Sequence, residues 1–280
     1  MANESGRWYR DDGGKATLVE ATLSEAKKNG YYPSVTSLLN TLAESYGLRT
    51  WREKQMVVAG ATAPRLDGET DDQFSDRVRA EAYHEGDDAA ERGKAVHLAI
   101  HKYLSNEDNS PADLPADLRG WMDINLYRGT CETELSVLSR RFGFAGTADY
   151  SGRYGKSGIA VVDFKTQRVR ARGNRKSPEW YDRWLLQLVA YGSAIEDRAR
   201  MIGAADRGLG VPDSFVSVVI NTNPDHPDYE GDDSPGYWVR KWSPDMVVYG
   251  RRVIEALCDT FYAVNDRPKA PFQRPGGLGG

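Results

Sequence analysis

The 280-residue sequence predicts an α/β or α+β fold in which a central mixed β-sheet is flanked by helices. Three observations predict it. Residues 143–150 and 159–166 read as strands, and Gly152, Gly155 and Gly158 between them supply the turn that makes an antiparallel hairpin. A helix over about 178–195 separates this hairpin from a second strand pair, Ser214–Asn221 and Tyr237–Trp242, which flanks an acidic, Pro-rich loop at 223–235. Helical patterns precede the first strands, and a long amphipathic segment at Pro244–Asn265 follows the last, with Val247, Val248, Val253, Ile254, Leu257 and Phe261 on its apolar side. Helices, strands, helix, strands, helix is the order in which helices come to cover a sheet.

Taken in order, residues 1–16 are polar and Gly-containing and read as a flexible N-terminal arm, and Thr17–Asn29 has helix-forming composition. Ser34 is placed to cap a short helix carrying Leu38, Leu39 and Leu42, and a second helix is expected over about 48–61. Residues 67–91 are strongly acidic, but Arg77 and Arg79 are interleaved and the acids follow no ligand spacing, so the segment reads as a solvated helix face that would repel a polyanion. Helices over about 89–104 and 117–127 follow, and then a strand over about 131–141 carrying Glu132 and Glu134 on one face. The expected organisation is one domain over 17–267, with a helical part over about 17–128 and a core over about 129–267, ending in a disordered Pro/Gly-rich tail at 268–280.

Composition narrows the classes. No apolar run approaches the roughly 18 residues of a membrane span, and the Met-Ala-Asn-Glu-Ser-Gly start lacks a signal-peptide pattern, so a soluble, cytoplasmic protein is expected. Two distant cysteines, Cys131 and Cys258, fit a reducing compartment. The net charge is −4, yet residues 165–176 carry Lys165, Arg168, Arg170, Arg172, Arg175 and Lys176 without one acid. Such a loop either holds a phosphodiester backbone or is merely solvated.

The chemistry concentrates in the first hairpin. Alternation places Asp163 and Lys165 on one face of their strand, with Val162 and Phe164 on the other, and brings Asp149 up on the neighbouring strand. Two carboxylates a strand apart can share Mg²⁺ or Mn²⁺, and an adjacent lysine can serve a bound water or a phosphorane charge, which together make a phosphodiester-hydrolysing centre. Alone, Asp-x-Lys on a strand is usually only a solvated strand face carrying a surface ion pair. His97 and His101 stand four apart on a helix, where neither has the further ligands that zinc requires, so His97 alone reads as a core histidine. Glu134 is positioned to orient a ligand or join a metal shell. Gln187 and Tyr191 share a helix face, either as a site's amide and phenol or as ordinary surface residues.

Four ordered pieces over about residues 31–195 resemble the PD-(D/E)XK nuclease superfamily, in its RecB-like exonuclease branch. They are Arg92-Gly93-Lys94-Ala95-Val96-His97, Gly146-Thr147-Ala148-Asp149, Val162-Asp163-Phe164-Lys165-Thr166, and Gln187 with Tyr191. Pro33-Ser34-Val35-Thr36 also resembles the opening of the phage and mitochondrial members. The resemblance implies a restriction-endonuclease-like core with N-terminal helical additions. It implies one or two Mg²⁺ or Mn²⁺ ions on His97, Asp149, Asp163 and the Phe164 carbonyl, with Lys165 catalytic and Gln187 and Tyr191 closing the site. Two cysteines cannot build the iron–sulfur cluster of some relatives. The implied activity is exonucleolytic cleavage of single-stranded DNA or DNA ends in replication, recombination or repair, in a bacterial or phage-infected cell. A helicase or a recombination or annealing protein would be the partner for processive work, since no motor motif is visible. A structure- or sequence-directed endonuclease and a non-catalytic DNA-binding module are the alternatives.

Overall fold

The computed structural model describes residues 6–42, 46–109, 111, 114–128, 131–156, 158–169, 177–201, 210–222 and 236–265. Its main sheet is built from β4 (Glu132–Ser139), β5 (Phe144–Tyr154), β6 (Gly158–Gln167), β7 (Ser214–Asn221) and β8 (Tyr237–Lys241), in that spatial order. β6 and β7 run parallel and the other neighbours antiparallel, so the sheet is mixed, as predicted. The α/β architecture and the β5–β6 hairpin follow the expectation.

Burial explains the sequence of each strand. β7, Ser-Phe-Val-Ser-Val-Val-Ile-Asn, is buried at every position, as a central strand covered on both faces must be. On one face Val161 and Phe215 pack beneath α6 (Asp182–Met201) and α7 (Pro244–Asn265), through Leu185, Leu188, Val189, Ile254 and Leu257. On the other, Val162, Phe164, Val216 and Val218 pack beneath the end of α4 (Asp71–Leu104) and α5 (Ala116–Asn125), through Ile100, Leu104, Leu118 and Met122. The strict period of two in β6 thus feeds two separate cores.

The N-terminal region corrects two expectations. Residues 6–21 are neither a flexible arm nor the start of a helix: β1 (Gly6–Asp12) and β2 (Lys15–Ala21) form an antiparallel hairpin. With β3 (Tyr32–Pro33) they make a second, three-stranded sheet inside the part expected to be helical. The cause is the pair Gly13-Gly14, whose φ values of 70° and 97° suit the two-residue turn that matches strand twist. Trp8 then fills the main core beside Phe261, and Asp11 binds Arg140 through both oxygens at 2.6 and 3.0 Å. Only then does α1 (Leu23–Asn29) start, on a capping box of Thr22 and Glu25.

Ser34 caps α2 (Val35–Leu39), as predicted. The acidic segment and the helix expected after it are one helix, α4, which opens on a second capping box of Thr70 and Gln73. Its 34 residues reach about 51 Å at 1.5 Å per residue. The first half packs on α3 (Tyr46–Thr62) through Ala59, Val78 and Ala82, and the second half reaches the sheet. Asp71, Asp72, Asp76 and Glu81 are exposed, in keeping with a solvated face. The tail at 268–280 and the acidic loop at 223–235 lie outside the described residues.

Candidate active site

The site lies where the main sheet splits. β5 and β6 pair from Tyr154↔Gly158 up to Tyr150↔Val162, and there their ladder ends. Beyond that point β6 stays on β7, through Asp163↔Ser217 and Lys165↔Val219, while β5 stays on β4. Ala148 and Tyr150, two residues apart, face different cores, so the strand's alternation is interrupted at Asp149. Asp149 fills the gap: its Oδ2 accepts the Phe164 N–H at 2.8 Å, in place of a ladder bond.

On the open side of the split stands α4. Gly93 lets the helix come close, since a Cβ there would lie 3.3 Å from Thr166 Oγ1. One turn on, His97 Nδ1 is 3.5 Å from Asp149 Oδ2. Burial lowers the His97 pKa, but the hydrogen bond and charge of Asp149 outweigh it, and the net direction is upward from 6.5. Asp149 is pushed up by burial and pulled further down by His97, Lys165 and the Phe164 N–H, ending below the ordinary carboxylate value.

Glu134 completes this side. Its neighbours pair as Thr133↔Tyr150 and Leu135↔Ala148, which sets it across from Asp149, and its φ of 50° is left-handed. A glutamate reaches that conformation only at a cost of roughly 1–2 kcal/mol. The turn brings donor atoms of His97, Glu134 and Asp149 within 4.8 Å of one another. Partial desolvation and the charge of Asp149 both raise the pKa of Glu134. Arg7 and Lys94 line the same cleft, of about 630 Å³. His101 is not in the cluster; its Nδ1 is 2.8 Å from Thr133 Oγ1.

The closed side is dry. Asp163 is fully buried, and Lys165 Nζ sits 2.8 Å from each of its oxygens. Only the Oδ1 contact has hydrogen-bond geometry, which leaves Oδ2 buried with no hydrogen-bond partner. Burial pushes Asp163 up to about 6 against the pull of Lys165, and Asp149 adds to the rise. From α6, the Gln187 amide donates to the Tyr191 hydroxyl at 2.9 Å. Tyr191 is raised well above its ordinary value by burial first and by the Asp163 charge second. Gly146 makes room for that ring: a Cβ there would meet Tyr191 Cε1 at 2.7 Å.

The structure therefore brings together His97, Glu134, Asp149, Asp163, Lys165, Gln187 and Tyr191. Asp163 is not part of the 4.8 Å cluster but faces Lys165 behind it. Phe164 gives the site its N–H, to Asp149. Arg168 lies exposed just past β6, whereas Arg170, Arg172, Arg175 and Lys176 fall outside the described residues. Sequence reasoning missed Arg7, placed by a hairpin read as an arm, and Lys94, which precedes His97 by three residues and so shares its helix face.

No family model and no curated protein matches the chain. Among solved structures it is similar to one described as the crystal structure of SSO0001, at 12% identity over 77% of this chain and 88% of that one, with a TM-score of 0.30.

Proposed function

We propose that this chain is a metal-dependent deoxyribonuclease of the PD-(D/E)XK type, an exonuclease acting on single-stranded DNA or DNA ends. One observation carries the reading: a fully buried aspartate, both of whose oxygens lie 2.8 Å from one lysine ammonium with only one of them in hydrogen-bond geometry, stands in a sheet split beside a His–Glu–Asp cluster.

The donors fit a hard divalent cation. Carboxylates and one imidazole, with no thiolate, suit Mg²⁺ or Mn²⁺. His97, Glu134, Asp149 and Asp163, with the Phe164 carbonyl, would hold it. A bound ion supplies Lewis acidity toward the phosphoryl oxygen and makes water a usable nucleophile near neutral pH. The rest is done by the chain itself. Lys165, tethered by Asp163, holds a proton-bearing ammonium at the mouth of the split, where it can stabilise negative charge gathering on the phosphorus oxygens. Tyr191 and Gln187 fix the dry wall behind it. Arg7 and Lys94 supply positive charge at the rim against a chain that is acidic overall. Ala90 and Lys94 of α4 form a wall of the cleft, and the preference for an end over an uninterrupted duplex follows the sequence resemblance.

The test compares end-labelled linear single- and double-stranded DNA with closed circular DNA, in Mg²⁺, Mn²⁺ or EDTA, for the wild type and Lys165→Ala. Metal-dependent loss of linear DNA alone, absent in the variant, is the expected result. Cutting of the circle would make it an endonuclease, and no lysine-dependent cleavage of any substrate would refute hydrolysis of DNA.

A further inference from the structure

Three residues run down one side of α6: Trp184, Gln187 and Tyr191, at spacings of three and four, share a helical stripe. The lower two are the amide and phenol of the site. Trp184 is the next member of the row, three residues or about 4.5 Å farther toward the start of the helix. Around it lies an aromatic cluster. Trp180 meets its ring edge-on at 6.2 Å and Tyr181 meets it edge-on at 4.9 Å. Tyr181 is 41% exposed, and Trp180 and Trp184 are half-buried. The Arg240 guanidinium lies 5.6 Å over Trp180 and 4.0 Å over Trp242.

A second, independent line leads from the catalytic strand to the same place. Gln167 is two residues past Lys165, hence on the same face of β6 and about 7 Å along it. Its side chain clamps the backbone of Glu179, accepting the N–H at 3.0 Å and donating to the carbonyl at 3.4 Å. That clamp sets the position of Trp180. Arg240 belongs to the same face as well: Asp163 pairs with Ser217, and Ser217 with Arg240. Two strand spacings, about 10 Å, separate the arginine from the buried aspartate. Arg168 is exposed one residue past the clamp.

Partly exposed indole and phenol rings flanked by arginines, beginning one helical turn from a phosphodiester-hydrolysing centre, have the composition of a stacking platform. We infer that Trp180, Tyr181 and Trp184, with Arg240, bind the unpaired nucleobases next to the scissile phosphate, so that the enzyme selects single-stranded DNA. The inference rests on the nuclease reading and deepens it. Bases in a duplex are already stacked and cannot lie on protein rings without first being unpaired. The arginines complement the strand's phosphates, and Arg240 adds cation–π attraction to the rings it covers.

The experiment measures binding, with cleavage removed by working in EDTA on the Lys165→Ala background. Fluorescence anisotropy follows a short labelled oligo(dT), the same oligomer with abasic sites, and a duplex of equal length. Trp184→Ala is expected to weaken oligo(dT) binding by roughly 5- to 100-fold. Trp184→Phe should restore most of it, and the abasic oligomer and the duplex should bind alike to parent and variant. Oligo(dT) binding unchanged in Trp184→Ala would overturn the platform, as would an equal loss on the abasic strand. If thermal melting shows that Trp184→Ala does not fold, Tyr181→Ala replaces it, with a loss of several-fold expected and no loss overturning the idea. Cleavage is read separately in the Lys165-intact protein. Metal-dependent cleavage without a Trp184 effect would sink the platform alone, and base-dependent binding without cleavage would sink the nuclease alone.

Discussion

The two sides of the sheet split hold carboxylates of opposite character. Asp149, on the open side, is 14% exposed, accepts a backbone N–H, faces a histidine and titrates below the ordinary value. Asp163, 0% exposed on the closed side, has one lysine as its ion-pair partner, one oxygen without a hydrogen bond and a pKa raised to about 6. Asp149 is stabilised as an anion by what already surrounds it, whereas Asp163 is held as an anion at a cost that only further positive charge can offset. The two sides of the split thus differ in how fully each carboxylate's charge is met, and the deficit lies at Asp163. Under the nuclease reading, that deficit is where the ion and the ammonium are used.

The largest effect should come from breaking the closed side. Lys165→Ala and Asp163→Asn are each expected to lower metal-dependent hydrolysis by about a thousandfold or more, because they remove charge stabilisation acting in a dry site. Asp149→Asn should abolish activity too, but by a different route. Titration with Mn²⁺ should show cation binding lost in Asp149→Asn and retained in Lys165→Ala. Equal binding in both variants would erase the distinction between the two sides.

The titrations sharpen the comparison without any substrate. In the folded protein Asp163 keeps its proton to about pH 6, whereas an unfolded aspartate loses it near 3.8, so raising the pH through that window costs stability. His97, raised above 6.5, adds stability that is present at low pH and is lost as pH rises through its folded value. Both run the same way. Asp149, lowered, contributes in the opposite sense only below about pH 4. The melting temperature of the metal-free protein should therefore fall between pH 5 and pH 8, and Asp163→Asn should flatten the slope. Mn²⁺ should raise the melting temperature more at pH 8 than at pH 5.5, because protons compete for the ligands. A flat profile with no response to a divalent ion would argue against a cation site.

A smaller effect concerns the wall behind the lysine. Gly146→Ala puts a methyl 2.7 Å from the Tyr191 ring and 3.3 Å from Val35 Cγ2. Overpacking of this kind costs about 1–3 kcal/mol. Since the ring that must move is hydrogen-bonded to Gln187 beside Asp163, activity should fall by more than the stability loss accounts for. Chemical denaturation and initial rates on one preparation separate the two.

What could be read in the sequence followed local signals. Ser214–Asn221 and Pro244–Asn265 carry clean apolar patterns, and the structure returns the same bounds for both. Glycine punctuation announced the β5–β6 hairpin, yet the same signal at Asp12-Gly13-Gly14-Lys15 went unread because the flanking residues looked polar, and Trp8 finds its core only in the tertiary structure. Asp163 and Lys165 could be placed on one face by the period of two, whereas the break in alternation at Asp149 could not be read from it. The parting of β5 from β6 could not, because each strand is regular in its own sequence and the split arises from their loyalty to different partners. Arg240 and Trp180 meet from residues 60 apart in the chain, a contact that no local pattern encodes.

Glu134 offers the finest test, since its backbone and its carboxylate pull in opposite directions. A glutamate at a φ of 50° pays for a left-handed conformation that glycine adopts freely. If the strain exists to aim the carboxylate at His97 and Asp149, Glu134→Gly should leave the denaturation midpoint unchanged or raise stability by up to about 1 kcal/mol, after the added chain entropy of glycine is discounted. The same change should weaken Mn²⁺ binding several-fold. Glu134→Gln keeps the strain and the shape but loses the charge, so it should match glycine in metal binding and wild type in stability. A glutamate that was only an outward strand residue would behave otherwise: glycine in a strand interior would destabilise it and metal binding would not move. Stability and affinity moving apart in Glu134→Gly, with Glu134→Gln losing affinity at wild-type stability, would mean that this strand bends against its own preference to complete the open half of the site.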